Sequence, residues 1–425
     1  MGLGIGLIAP LPRQGGRPMA WPKFQQLVAD ALEGTYLALN EGEDGFELEV
    51  HPGAECLRFT PEGDDGFYVE TKTSTLGPGY HAHIVEMIDE IGKVGKVELD
   101  WGAGEGGDET NYAVDRDFAE LQSQMAEQFR ALIDVMSDRS AEHALFINWS
   151  FGVPEPIGDA GGLFTPSGLL STKWCREVAE GKDLGARCRE FYVWWDKDRD
   201  ADYWRKLARM TLWSEVRWRP PMSEREARVW ATALLAADEL EELGAAHLLP
   251  AAEIAELREL MEWDEDTPCR EPSPKGIGYY RHNVRWHLPG GWAFVLGGYF
   301  FEEIEEDDSG GQTLLWFFND RTVRFSSANI ETDSGPAPAA ELLEFATSQA
   351  APDAETIELN LGPATARGYF ATESDEESGE EYNVLSVTIA IDGRVAWLTI
   401  TFGDPQHRDW AMDIARSVVA PADGD

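Results

Sequence analysis

The chain has 425 residues, 43% of them hydrophobic and 11% aromatic, which is enough to build cores for about two to four domains. Its 78 Asp and Glu residues against 35 Lys and Arg residues give a formal net charge of −43. A surface this acidic repels nucleic acid and anionic lipid, so the charge excludes those partners and predicts a basic protein partner. An adaptation for solubility is the alternative explanation of the same charge.

The cysteines and the first residues bear on the compartment. The four cysteines lie far apart without any C-x-x-C spacing, which predicts free, buried thiols and no zinc site: Cys56, Cys175, Cys188 and Cys269. No run reaches the ~18 apolar residues that a membrane span requires. Residues 1–18 have prolines and lack the basic start of a signal peptide, so we expect a flexible leader, with Met19 as an alternative start, on a cytoplasmic protein.

The segment 19–150 predicts a small α+β domain. Apolar residues from Phe24 to Leu39 recur at helical spacing before Gly42, and two later apolar stripes predict helices ending at Gly92 and Met136. Four runs read as strands: GFELEV (45–50), ECLRFT (55–60), GFYVETK (66–72) and KVELDW (96–101). With its opening Trp21 and Phe24 helix and its acidity, this order of elements resembles type III secretion chaperone-like domains, which implies a protein-binding module.

Within this segment, residues 73–92 contain a Gly-Pro-Gly turn and two histidines, His81 and His83. The turn lacks the Lys-Ser/Thr of a phosphate-binding loop. Residues two apart on a helix face different ways, and further ligands at zinc spacing are missing, so we predict neither a phosphate site nor a metal site. The interpretation is a turn and a helix start whose polar side chains face solvent.

The segment 151–270 predicts a helical block rich in tryptophan. Ser223 and Glu226 form a capping box ahead of an apolar helix that Gly244 ends. The tryptophans are expected mainly in the core, and two of them are candidate exposed binding anchors: Trp194 and Trp195.

The segment 276–421 predicts an antiparallel sheet with covering helices. The pattern consists of seven strand-like runs with a hairpin turn at Asp392-Gly393. Two helices are predicted as well, at 339–348 and 404–419. From Ala366 to Val419, with its LTITF strand and IARSV helix, the chain resembles the PsbP-like fold, shared with Mog-type Ran-release factors and small mycobacterial lipoproteins. That resemblance implies a protein-binding fold without a catalytic motif.

Two acidic runs, 302–308 and 373–381, fall at predicted hairpin ends of this last segment. They are either solvated turns or a docking surface for a basic protein, since neither has the order of a calcium loop. The candidate partner-binding acids are Glu302, Glu303, Glu305, Glu306, Asp307, Asp308, Glu373, Asp375, Glu376 and Glu377.

These patterns favour a multidomain α+β protein that binds a protein partner without catalysis. An immunity protein, chaperone or adaptor of a bacterial secretion, toxin or defence system fits them, with no cofactor, no metal, no nucleic acid and no membrane insertion. His282 and His287, on opposite faces of a strand, are interpreted as structural. The alternative is an enzyme, such as a hydrolase, whose dispersed active site leaves no motif.

Overall fold

The computed structural model of the chain falls into two compact units. The first comprises residues 1–149, 158–216 and 223–258, and the second comprises residues 150–157, 217–222 and 259–425. This division differs from the three consecutive domains predicted from the linkers. The residues described are 2–42, 44–102, 107–137, 145–147, 154–157, 162–264, 267–306, 311–332, 335–344, 354–374 and 379–421.

The first unit contains a six-stranded sheet, a short three-stranded sheet and most of the helices. Its strands are β1 (Gly4–Pro10), β2 (Arg13–Gln14), β3 (Arg17–Pro18), β4 (Ala38–Gly42), β5 (Gly45–Glu49), β6 (Leu57–Glu62), β7 (Gly66–Lys72), β8 (Gly107–Asp108), β9 (Leu145–Phe146), β11 (Gly162–Thr165) and β12 (Gly168–Ser171), with β10 (Glu155–Pro156) in the second unit. Its helices are α1 (Trp21–Ala31), α2 (Pro78–Gly95), α3 (Tyr112–Asp115), α4 (Phe118–Ser137), α5 (Thr172–Ala179), α6 (Leu184–Phe191), α7 (Ala201–Met210), α8 (Glu224–Glu242) and α9 (Ala251–Met261), whose last turn belongs to the second unit.

Strand β1 lies inside the large sheet, whose order is β4-β5-β6-β7-β1-β8. It pairs antiparallel with β7 along its whole length, from Gly4 opposite Lys72 to Pro10 opposite Gly66. Ile5 and Leu7 point into the core, 3% and 2% exposed. Residues 4–10, expected within a flexible leader, are therefore a sheet strand, because their alternating apolar side chains bury one face.

Two further expectations for this unit differ from the structure. Helix α1 ends at Ala31, and residues 38–42, expected to continue it, form β4 opposite β5. Residues 97–100 form no strand. The three predicted strands of the meander are present as β5, β6 and β7, since their period-two pattern is matched by burial of Phe46, Phe59 and Val69.

Most tryptophans of the helical block are core residues, as predicted, and Trp213 is half-buried. Trp174, Trp204 and Trp230 are 6%, 7% and 0% exposed. The N-cap half of the predicted capping box is present, since the Ser223 hydroxyl accepts a hydrogen bond from the amide of Glu226 at the start of α8. Within the described residues, no helix is both long and apolar enough to cross a membrane.

The second unit is built around a seven-stranded antiparallel sheet in the order β15-β16-β17-β23-β22-β21-β20. Its elements are β10, β13 (Asn283–His287), β14 (Ala293–Gly297), β15 (Phe301–Glu306), β16 (Gln312–Phe318), β17 (Arg321–Asn329), β18 (Glu331–Thr332), β19 (Gly335–Pro336), α10 (Ala339–Leu342), β20 (Glu355–Leu361), β21 (Ala364–Ser374), β22 (Glu381–Ile391), β23 (Arg394–Phe402) and α11 (Arg408–Arg416).

The core of the second unit lies on one face of this sheet. Trp316 is fully buried and packs edge-on against Phe294 of β14, with ring centroids 5.0 Å apart. Helix α11 places Ile414 in the same unit's core at 3% exposure. The predicted hairpin turn is present, with Gly393 at φ 77° between β22 and β23. The protein is thus a multidomain α+β protein whose last segment is an antiparallel sheet with a covering helix.

Candidate functional site

The edge strand β15 of the second unit is an exposed, strongly acidic element. Residues 302–306 are all exposed, and among the described residues β15 pairs only with β16. Four of the five are glutamates, and the fifth, Ile304, is 58% exposed. An edge strand presents main-chain N–H and C=O groups that another strand can pair with. This acidic edge therefore offers both hydrogen-bonding groups and negative charge.

The pleat divides the acidic edge between the two faces of the sheet. Phe301 lies opposite Phe317 and Glu303 opposite Leu315, so Phe301, Glu303 and Glu305 share one face. Glu302 lies opposite the buried Trp316, on the core side. Glu305 is 3.7 Å from Arg324 in an exposed ion pair, which contributes little to stability.

The second acidic run is only partly described. Glu373 is exposed near the end of β21, where its carboxylate accepts a hydrogen bond from the Tyr382 hydroxyl at 3.2 Å. The other predicted acids of this run, Asp375, Glu376 and Glu377, lie outside the described residues, as do Asp307 and Asp308 of the first run.

The register places residues 302–306 and Glu373, the described candidate acids of the two runs, at opposite corners of the sheet. Four strands separate β15 from β21, which corresponds to about 24 Å across the sheet. Residues that lie opposite one another on successive strands connect Ile304 of β15 to Gly368 of β21. Glu373 lies about 17 Å further along β21 than Gly368. By these spacings the described acids of the two runs, predicted together as one docking surface, are roughly 30 Å apart.

Trp194 and Trp195, predicted as exposed binding anchors, are buried in the first unit. They are 3% and 8% exposed, and Trp194 packs on Tyr203 at a centroid distance of 4.8 Å. A binding anchor must present its ring to the partner, and neither side chain does. Their apolar area stabilises the fold of this unit instead.

His81, expected at the surface, is fully buried at the start of α2. Its Nε2 lies 3.0 Å from the Asp108 carboxylate and its Nδ1 lies 2.7 Å from the Thr73 hydroxyl. Because a carboxylate accepts, Nε2 donates its proton to Asp108, and the ring is held between Asp108 and Thr73. The two histidines do point apart, as predicted, since His83 lies beside Arg199.

Asp108 organises the loop that carries β8 into α3. Its carboxylate also accepts hydrogen bonds from the Thr110 hydroxyl and from the amides of Thr110 and Ala113, at 2.7–2.8 Å. Burial raises the pKa of Asp108, but the hydrogen bonds from His81, Thr110 and the Ala113 amide together outweigh it. The net pKa falls from 3.8 to about 2.

This depressed pKa predicts a specific acid dependence. A carboxyl group whose pKa is lower in the folded state stabilises the protein above its ordinary pKa, and that stabilisation is lost as the pH falls towards 2. The difference in free energy of unfolding between the wild type and Asp108→Asn should therefore shrink from about pH 4 downwards. Denaturant titrations across this range measure it, and a constant difference contradicts the assignment.

Thr73, His81 and Asp108 have the order hydroxyl, imidazole, carboxylate that hydrolases use. This cluster differs from a hydrolase site in its access to solvent, because the side chains of Thr73 and His81 are 0% exposed. A substrate cannot reach the hydroxyl without opening the core, so the cluster is structural. No sequence motif predicts it, because its members are brought together by the antiparallel pairing of β1 with β7 and β8.

The remaining candidate residues also have structural surroundings. The four thiols are unpaired, as predicted. Cys175, Cys188 and Cys269 are also buried as predicted, whereas Cys56 is only half-buried. The exposed His287 lies 3.2 Å from the half-buried Glu155 across β13 and β10. Where the structure describes the chain, no group of three His, Cys, Asp or Glu side chains could hold a metal ion.

Comparison with known proteins gives only weak similarities. The sequence matches no protein-family model and no curated protein. One similar solved structure comes from Bacteroides thetaiotaomicron VPI-5482, at 13% identity and a TM-score of 0.26, covering 33% of this chain and about half, 49%, of that one. Another is cyanobacterial PsbP (CyanoP) from Synechocystis sp. PCC 6803, at 11% identity and a TM-score of 0.20, covering 36% of this chain and 99% of that one. Similarities at these scores carry no functional argument.

Proposed function

We propose that the protein is a non-catalytic component that binds a basic protein along the acidic edge strand β15. The observation that carries the proposal is the run of exposed residues 302–306 on a strand that pairs, within the described residues, only with β16. An immunity protein, chaperone or adaptor of a bacterial secretion, toxin or defence system has such a task. We also propose that the last segment has the PsbP-like fold that its sequence resembles.

Charge supports this role in two ways. The formal net charge of −43 accelerates the approach of a basic protein over long distances. The glutamates of β15 then lie directly opposite any strand that pairs with it, where opposite charges on two strands stabilise the pairing. An acidic edge also discourages pairing with another acidic strand, so the same residues select the partner.

Neutralising the edge tests the proposal. A partner is first isolated by co-purification from the source organism, and its association rate is then measured at low and high salt. Exposed charges mainly set the rate of association, so we expect the quadruple Glu→Gln variant to associate roughly tenfold more slowly at low salt and equally fast at high salt. The changes are E302Q, E303Q, E305Q and E306Q.

A matched variant separates the edge from the overall charge. It neutralises four exposed acids of α8 in the first unit: Glu224, Asp238, Glu241 and Glu242. If the edge is the docking site, this control keeps most of the wild-type rate, although both variants lose the same formal charge. Equal slowing in the two variants assigns the effect to net charge alone, and unchanged rates in both contradict the proposed function.

A further inference from the structure

A largely apolar pocket of about 1190 Å³ opens beside the first residue of the acidic edge. All its lining residues belong to the second unit. Phe301 and Phe317, whose stacked rings have centroids 5.1 Å apart, belong to its lining. Met222, Met261 and Trp263 line it as well, and Met222 is 41% exposed.

The walls of this pocket are held in place before any partner arrives. The amide group of Asn319 bonds to both the N–H and the C=O of Cys269, at 2.9 Å each, which fixes the wall formed by residues 267–269. Pro220, Pro221 and Pro268 add rigid main chain. A preformed apolar pocket loses little conformational entropy on binding, so burial of an apolar side chain there yields affinity.

The pocket and part of the acidic edge share one face of the sheet. Phe301 lines the pocket, and Glu303 and Glu305 follow on the same face, about 7 Å and 14 Å further along β15. A strand paired with β15 would thus place its side chains on this face first over the pocket and then opposite the two glutamates. Large apolar anchors surrounded by charged pairs are typical of protein interfaces.

We propose that this site binds an extended segment of a basic protein with the pattern apolar-x-Lys/Arg-x-Lys/Arg, or the reverse order for an antiparallel segment. The large apolar side chain enters the pocket, the two basic residues pair with Glu303 and Glu305, and the main chain extends the sheet at β15. The inference rests on the proposed function, to which it adds the chemistry of the bound segment.

A second copy of this chain is a poorer occupant. Pairing β15 with its own copy would place glutamates directly opposite glutamates, and like charges in that position destabilise a sheet. The segment bound must therefore bring positive charge as well as an apolar side chain.

Selection from a library of random short peptides, with the full chain as bait at low salt, tests the pattern. We expect the enriched peptides to carry one large apolar residue with Lys or Arg two and four positions away. In a synthetic peptide of this kind, replacing the apolar residue by Ala, or both basic residues by Gln, should each weaken binding about tenfold. Binding is measured by fluorescence anisotropy.

Variants of the pocket then locate the apolar residue. Two variants alter the pocket: Met222→Glu, and separately Thr267→Trp, which fills the pocket from an exposed position. In each variant, replacing the apolar residue of the peptide by Ala should no longer weaken binding, whereas replacing its basic residues by Gln still should. Leu235→Glu is the matched control, because Leu235 is 50% exposed on α8 in the first unit. Melting curves show whether each variant is folded.

Each outcome decides between the two proposals. Basic peptides without an apolar preference overturn the pocket and leave the proposed function intact. Enriched peptides that are not basic, or no enrichment at all, overturn both. A dimer that Met222→Glu dissociates in analytical ultracentrifugation assigns the pocket to a second copy and overturns the inference.

Discussion

Deleting residues 1–18 should prevent the first unit from folding. The deletion removes β1 from between β7 and β8 and takes Ile5 and Leu7 out of the core, where each contributes about 2–5 kcal/mol. It also leaves without partners the main-chain N–H and C=O groups of β7 that pair with β1. The sum is comparable to the whole stability of a typical domain, about 5–15 kcal/mol. Hydrogen exchange of the β6 and β7 amides measures the result, and we expect protection there to be lost.

Two point variants of β1 separate this effect from a general sensitivity of the first residues. Leu7→Ala, at 2% exposure, should lower the free energy of unfolding by about 2–5 kcal/mol. Ile8→Ala, on the outer face at 57% exposure, should change it by less than about 0.5 kcal/mol. A chain starting at Met19 that keeps full protection in β7 contradicts the assignment of β1 to the sheet.

His81→Ala should destabilise the first unit by roughly 3–5 kcal/mol, because it leaves the buried Asp108 carboxylate without its ring partner. Thr73 loses its 2.7 Å hydrogen bond in the same change. The loop from β8 to α3 keeps the bonds of Asp108 to Thr110 and Ala113 but loses the contact of Asp108 with the ring. Hydrogen exchange in β1 and β7, compared with β22 and β23 of the second unit, reports which unit is weakened.

The matched control for His81 is His247→Ala. His247 is exposed, so its replacement should change the free energy of unfolding by no more than about 0.5 kcal/mol. If His81→Ala behaves like this control, the cluster does not support the fold. A hydrolase activity of the wild type that His81→Ala abolishes while the variant stays folded would instead support the enzyme alternative.

Local pattern was sufficient for many elements of this protein. Strands β5, β6 and β7, and the hairpin of β22 and β23, alternate apolar and polar residues between turn residues, which is a signal carried by neighbours in the chain. The same holds for the capped start of α8 and for the burial of the tryptophans of the helical block. The order of the predicted helices and strands indicated an α+β protein, and the wide spacing of the cysteines predicted free thiols.

Pairing partners were decisive where the local signal was ambiguous. Residues 4–10 are apolar with glycines and suit either a leader or a strand, and the choice is made by β7, whose ladder they complete. The apolar residues of α1 continue at helical spacing towards residues 38–42, yet these residues form a strand that pairs with β5. Tertiary contacts override weak propensity in both cases because they bury area that the isolated segment cannot.

The functional reading depended even more on tertiary structure. The sequence by itself determined that the protein is strongly acidic and where its acids concentrate, because charge is a property of composition. Only the strand order of the second unit showed that residues 302–306 and Glu373 lie at opposite corners of one sheet, and only the fold placed an apolar pocket beside the first of these acidic segments. Likewise, His81 and Asp108 meet although 27 positions separate their numbers, since a sheet brings distant residues together through its ladder rather than through the chain.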